Sequence, residues 1–128
     1  MKSRGLFFHL KSALLLSVPV VILVFLSACT AERRKSDAEL GLNPRQAAGR
    51  RVFDDRCARC HEAYSSRGKK GPGLAGLFQQ QYLSKSGLPA NDEQVGDIIR
   101  DGRTDMPAYG EVLSQKQMED LMAYLHTL

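Results

Sequence analysis

The stretch "CARCH", residues 57–61, constrains this chain more than any other. Two cysteines stand three apart and a histidine follows the second directly. The whole chain has three cysteines and three histidines, so half of its thiol and imidazole groups fall within five residues. Such a cluster suits a redox dithiol, part of a zinc site, or a covalently attached haem.

The surroundings separate these readings. A dithiol of this spacing belongs at a strand-to-helix junction, and no convincing strand precedes Cys57. Zinc takes four ligands at defined spacing. Past residue 29 the only cysteines and histidines are Cys57, Cys60, His61 and distant His126. Haem attachment uses all three residues of the motif. On a helical turn, positions 57, 60 and 61 are i, i+3 and i+4 and share one face. Two thiols can then meet one porphyrin edge while the imidazole reaches the iron from the same side.

The chain opens with an export pattern. "MKSRGLFFHLK" carries Lys2, Arg4 and Lys11 and no acid, "SALLLSVPVVILVFL" (12–26) is uncharged and apolar, and "LSAC" (26–29) closes it with small residues. Basic, apolar, small is the order of a secretory signal. The competing reading is an uncleaved membrane anchor, but the uncharged run is shorter than the roughly 20 residues that span a bilayer. Leu26-Ser27-Ala28-Cys29 resembles the lipobox of bacterial lipoproteins, which implies lipidation of Cys29 and a firm membrane anchor. Loss of residues 1–28 removes three cations and no acid, so the net charge falls from +4 to +1. A haem's two propionates would carry it just below neutral. The alkaline character thus belongs partly to the leader, and no nucleic-acid partner is implied.

The sequence divides into a signal peptide (1–28), a lipid-anchored flexible tether (29–42) and a compact domain (43–128). A flexible tether of that length has an r.m.s. reach of about 20 Å. Arg33, Arg34 and Lys35 just past the anchor read as a solvated linker, with anionic headgroups as the alternative contact. A domain this small has a thin core and gains from a bound cofactor.

Three helices are expected. The first starts at Asn43-Pro44, a capping residue followed by proline, and runs through Ala48, Val52 and Phe53 into CARCH. The second starts at Asn91 with Gln94 as a capping-box partner, carries Val95, Ile98 and Ile99, and stops at Gly102. The third starts at Ser114 with Gln117 as its box, and Leu113 and Met118 are placed as a hydrophobic staple. Leu121, Met122 and Leu125 continue its period. "SSRGKKGPGLAG" is loop, and "FQQQYLSK" (78–85) has room for a short extra helix.

"DMPAYG" (105–110) supplies a candidate for the iron's other face. Pro107 pushes Met106 towards an extended backbone, so its sulfur can be presented from a loop, 45 residues past His61. Met118 and Met122 fit an apolar helical face and read as core. His126 reads as a surface or edge residue.

Over nearly all of 43–128 the chain resembles a small bacterial class I cytochrome c. "CARCH" is similar to the family's attachment motif, "GPGLAG" (71–76) to its proximal loop, "MPAYG" to its distal methionine loop and "LMAYL" (121–125) to its C-terminal helix. The resemblance implies an all-α fold of three main helices and loops around one covalent haem c. It implies Cys57 and Cys60 as thioether positions, His61 and Met106 as axial ligands, and a Pro72 carbonyl that orients His61. It further implies close packing of Gly49 and Phe53 against Leu121 and Tyr124. A helical glycine costs roughly 1 kcal/mol against alanine, which close helix approach would justify.

The expected function is one-electron transfer with redox partner proteins of a respiratory or related chain, on the periplasmic side of a membrane. A haem enzyme such as a peroxidase, a gas-binding sensor and a subunit of a larger oxidase or reductase are the rivals. No distal acid–base pair stands out for the first. Arg67, Lys69 and Lys70 form a basic run beside the proximal loop, either steering an acidic partner or simply solvated. Tyr82, Arg103 and Tyr109 are the candidates for holding haem propionates.

Overall fold

A computed structural model describes residues 34–128. Contacts divide the chain after Lys35, and the compact unit Ser36–Leu128 carries the fold. The expected signal peptide, Cys29 and the first part of the tether lie outside the described residues. No helix of the described residues is long and apolar enough to cross a membrane.

The fold is all-α: α1 (Pro44–Arg56), α2 (Asp92–Asp101) and α3 (Gln115–Leu125). Among the described residues no strand forms, and two isolated bridges, Tyr82 to Pro89 and Arg103 to Met106, are the nearest approach to one. Each helix begins where its cap dictates. Asn43 and Ser114 form complete capping boxes with Gln46 and Gln117, which satisfy otherwise orphaned N–H groups. At α2 the Asn91 side chain accepts from the Gln94 N–H. This is one half of the box expected there. Gly102 ends α2 with φ 74°, a left-handed value that glycine adopts without steric cost.

α1 packs along α3 far more extensively than α2 does. Gly49 sits at this crossing. A Cβ there would overlap the Asp120 carbonyl and lie 2.8 Å from Tyr124 Cβ, so backbone replaces side chain at the contact. One turn on, the Phe53 and Tyr124 rings meet at 5.5 Å, tilted by 58°. Leu121 and Tyr124 are wholly buried. Burying such side chains is worth about 1.5–3 kcal/mol each, and around them Leu77, Val95, Ile99, Leu113, Leu125 and Leu128 complete one small core.

Two segments depart from the sequence reading. The compact unit begins at Ser36, not Asn43. Residues 36–42 fold back in a turn, Leu42 packs against the core, and Asp37 pairs at 2.6 Å with Arg50 of α1. Arg50 is only 5% exposed, and one partner for its charge lies in a segment that reads as tether. Residues 78–85 form no helix. Gly87 turns with φ 68° and Leu83 N–H bonds the Leu88 carbonyl at 2.8 Å. The segment therefore doubles back through Pro89, which a helix would not allow.

Candidate haem site

CARCH continues the last turn of α1. The Cys57 N–H still bonds Phe53 O, and Cys57 O then accepts from both Cys60 N–H (3.0 Å) and His61 N–H (2.9 Å). These are i+3 and i+4 bonds, so the helical turn expected of the motif forms although the regular helix ends at Arg56. Both cysteines are free and half-buried. Burial above all, with Cys60 and Asp54 nearby, pushes the Cys57 thiol up to about 11. A dithiol catalyst needs the opposite, a thiolate at neutral pH.

His61 is held from its far side. Its Nδ1 lies 2.9 Å from the Pro72 carbonyl oxygen. A carbonyl oxygen can only accept, so the proton sits on Nδ1 and the lone pair on Nε2. Gly71 presses on the same ring: a Cβ there would overlap Cε1 and come within 2.8 Å of Nδ1. The loop is pinned to the motif by bonds from Gly71 N–H to Cys60 O and from Leu74 N–H to Glu62 O, both 2.8 Å. The donor set fits an iron porphyrin: two free thiols on one turn, an adjacent imidazole with its outer nitrogen available, and part-exposed apolar side chains (Leu74, Leu83, Met106) at the edge of the core.

Met106 lies in a tight turn and is half-buried. Arg103 and Met106 exchange backbone bonds of 3.0 and 2.8 Å, and Thr104 between them has φ 50°. Beyond Pro107, the Tyr109 and Gly110 N–H groups bond the Ile99 and Arg100 carbonyls at the end of α2. The Tyr109 hydroxyl donates to Arg56 O at 3.2 Å, a tie that sequence reasoning did not foresee. Nothing local announces it, since the two residues are 53 apart.

The remaining candidates scatter. Tyr82 and Arg103 are exposed. Lys69 of the basic run spends its charge on Glu62 at 2.8 Å and the Ala58 carbonyl at 3.0 Å. His126 caps the end of α3, stacks on Phe78 at 4.0 Å and meets Asp92 at 2.7 Å. Met118 and Met122 pack against the core.

Three helices closed around an attachment turn and its proximal loop define a small class I cytochrome c. The chain belongs to the family described as cytochrome C oxidase, cbb3-type, subunit III, whose model matches residues 44–125. It is 28% identical over 106 residues to a "Cytochrome c6-like" protein of Nostoc sp. (strain PCC 7120 / SAG 25.82 / UTEX 2576), spanning 83% of this chain and 86% of the relative. It is 30% identical over 79 residues to a "Cytochrome c6" of Rippkaea orientalis (strain PCC 8801 / RF-1), spanning 62% and 67%. No solved structure matches it significantly. The protein is therefore an electron carrier with one covalent haem c, not an enzyme, and it exchanges electrons with redox partner proteins.

Proposed function

We propose that Cys57 and Cys60 hold the haem through two thioethers, that His61 and Met106 are its axial ligands, and that the Pro72 carbonyl orients His61. The observation that carries this reading is the 2.9 Å contact between His61 Nδ1 and Pro72 O, which leaves Nε2 as the nitrogen free for iron. Bound there, haem supplies a one-electron couple whose potential a thioether ligand raises. The chain's own task is to fill both axial positions, so that no substrate coordinates. Replacing Met106 with alanine should keep the covalent haem, abolish the sulfur-to-ferric-iron band in the red and lower the potential. It should also admit carbon monoxide to the reduced iron. An unchanged spectrum and potential would move the ligand to Met118, Met122 or His126.

The same proposal places the carrier on the periplasmic side of the inner or outer membrane, anchored by a lipid on Cys29, with residues 1–28 removed and the compact unit Ser36–Leu128 as the haem domain of a respiratory or related chain. Its support is the Leu26–Cys29 box after an apolar run. Membrane fractionation of wild type and Cys29→Ala checks it: the variant should move to the soluble fraction, and equal retention of both forms would discard the lipid. The oxidase in the family description favours a second reading, a subunit of a larger complex. Haem that migrates with such a complex in mild detergent would support it.

A further inference from the structure

We propose that Tyr109 is the positioning residue that sets how firmly Met106 holds the iron. The inference rests on the His/Met reading above. A thioether is a neutral, weak donor, so its grip on a metal depends on how rigidly the chain presents it. The ties of the Met106 turn are of two kinds. The Arg103–Met106 pair closes the turn on itself, and the Tyr109 and Gly110 N–H groups fix it to the carbonyls of Ile99 and Arg100 on α2. Both kinds would persist if α2 and its loop moved away from α1 as a unit.

The Tyr109 hydroxyl is different. It crosses to Arg56 O, the residue before Cys57. Arg56 is the last residue of α1, and the last carbonyls of a helix have no intrahelical partner. The phenol occupies that vacancy while its ring packs against the core. One hydroxyl thus joins the backbone that presents Met106 to the backbone that presents Cys57 and His61. Opening the distal side requires this bond to break.

The test uses ferric holoprotein and imidazole, which binds iron only when the methionine leaves. Tyr109→Phe keeps the ring and removes the hydroxyl. Its apparent affinity for imidazole should rise about fivefold, the equilibrium worth of one neutral hydrogen bond. The sulfur-to-iron band should disappear at correspondingly lower imidazole. Tyr64→Phe is the control, because it deletes a phenol contact of 2.9 Å to Tyr124 away from the Met106 loop. It should lower resistance to denaturant and leave imidazole affinity at the wild-type value. Unchanged affinity in Tyr109→Phe, or an equal rise in Tyr64→Phe, overturns the proposal while the ligand reading stands. A wild type without the sulfur band, or Met106→Ala with it, overturns both.

Discussion

The loop after CARCH grips the His61 ring itself, with Pro72 O on one nitrogen and Gly71 packed against the ring. The loop around Met106 is held by backbone bonds and one phenol, while its sulfur lies half-buried at the edge of the core. The contrast follows from the donors. Imidazole has a second nitrogen that a carbonyl can orient. A thioether has no N–H for a carbonyl to orient, so the chain positions it chiefly through the backbone and through packing at the edge of the core. The proximal side therefore resists change by steric contact, and the distal side by a set of separable bonds. Substitutions on the first should cost folded holoprotein, and on the second chiefly ligand strength, with only small changes in stability.

Gly71→Ala is the severest break of this contrast. Its methyl would overlap the His61 ring, so loop or ring must move. Stability to denaturant should fall by about 3 kcal/mol, the upper end for overpacking, with a lower yield of haem-loaded protein. Normal yield and stability would show that the loop yields as easily as the distal one.

Alkaline titration sharpens the comparison next. Tyr64, three residues past His61, accepts a hydrogen bond from buried Tyr124 at 2.9 Å. Burial first, and this bond second, push the Tyr124 phenol well above the ordinary tyrosine range. Its stabilising contribution is complete below the unfolded value of about 10. Above it the unfolded chain loses a proton that the folded chain keeps, so stability falls with rising pH by about 1.4 kcal/mol per unit. Tyr124→Phe should flatten that limb relative to wild type while costing some stability at neutral pH. Parallel alkaline limbs would mean that Tyr124 ionises freely in the folded protein.

The smallest effect belongs to the distal turn. Thr104 has a β-branched side chain at φ 50°, a region such residues avoid. Thr104→Gly should relieve that strain at some cost in unfolded-chain entropy, a net gain of at most about 1 kcal/mol by denaturant titration. A loss larger than that would reveal a contact of the threonine side chain that outweighs the strain.

What was legible beforehand had a local signature. Helix caps are short patterns, and Asn43, Asn91 and Ser114 begin helices as read. The glycine at 49 and the aromatics at 53 and 124 could be matched across the chain through the resemblance. Residues 36–42 read as tether because their pairing with Arg50 has no local signature, and the burial of Arg50 is announced by no helical period: the α1 face that goes inside consists of Gly49, Arg50 and Phe53. Residues 78–85 carried helix-compatible side chains, yet Gly87 and Pro89 beyond them decided the conformation. The Tyr109–Arg56 tie joins residues 53 apart, and the Gly71–His61 contact depends on a loop conformation that no local pattern announces.

The Gly49–Asp120 crossing has a kinetic consequence. It joins segments about 70 residues apart, and closing so long a loop costs roughly 4 kcal/mol of chain entropy before any contact rewards it. A polypeptide emerging from its first residue onward cannot make this contact until α3 has been delivered. Until then α1 lacks the surface that buries Phe53, and an isolated helix of its length is marginal in water. The topology thus delays the native crossing until nearly the whole domain is available, and leaves the attachment turn accessible in the interval.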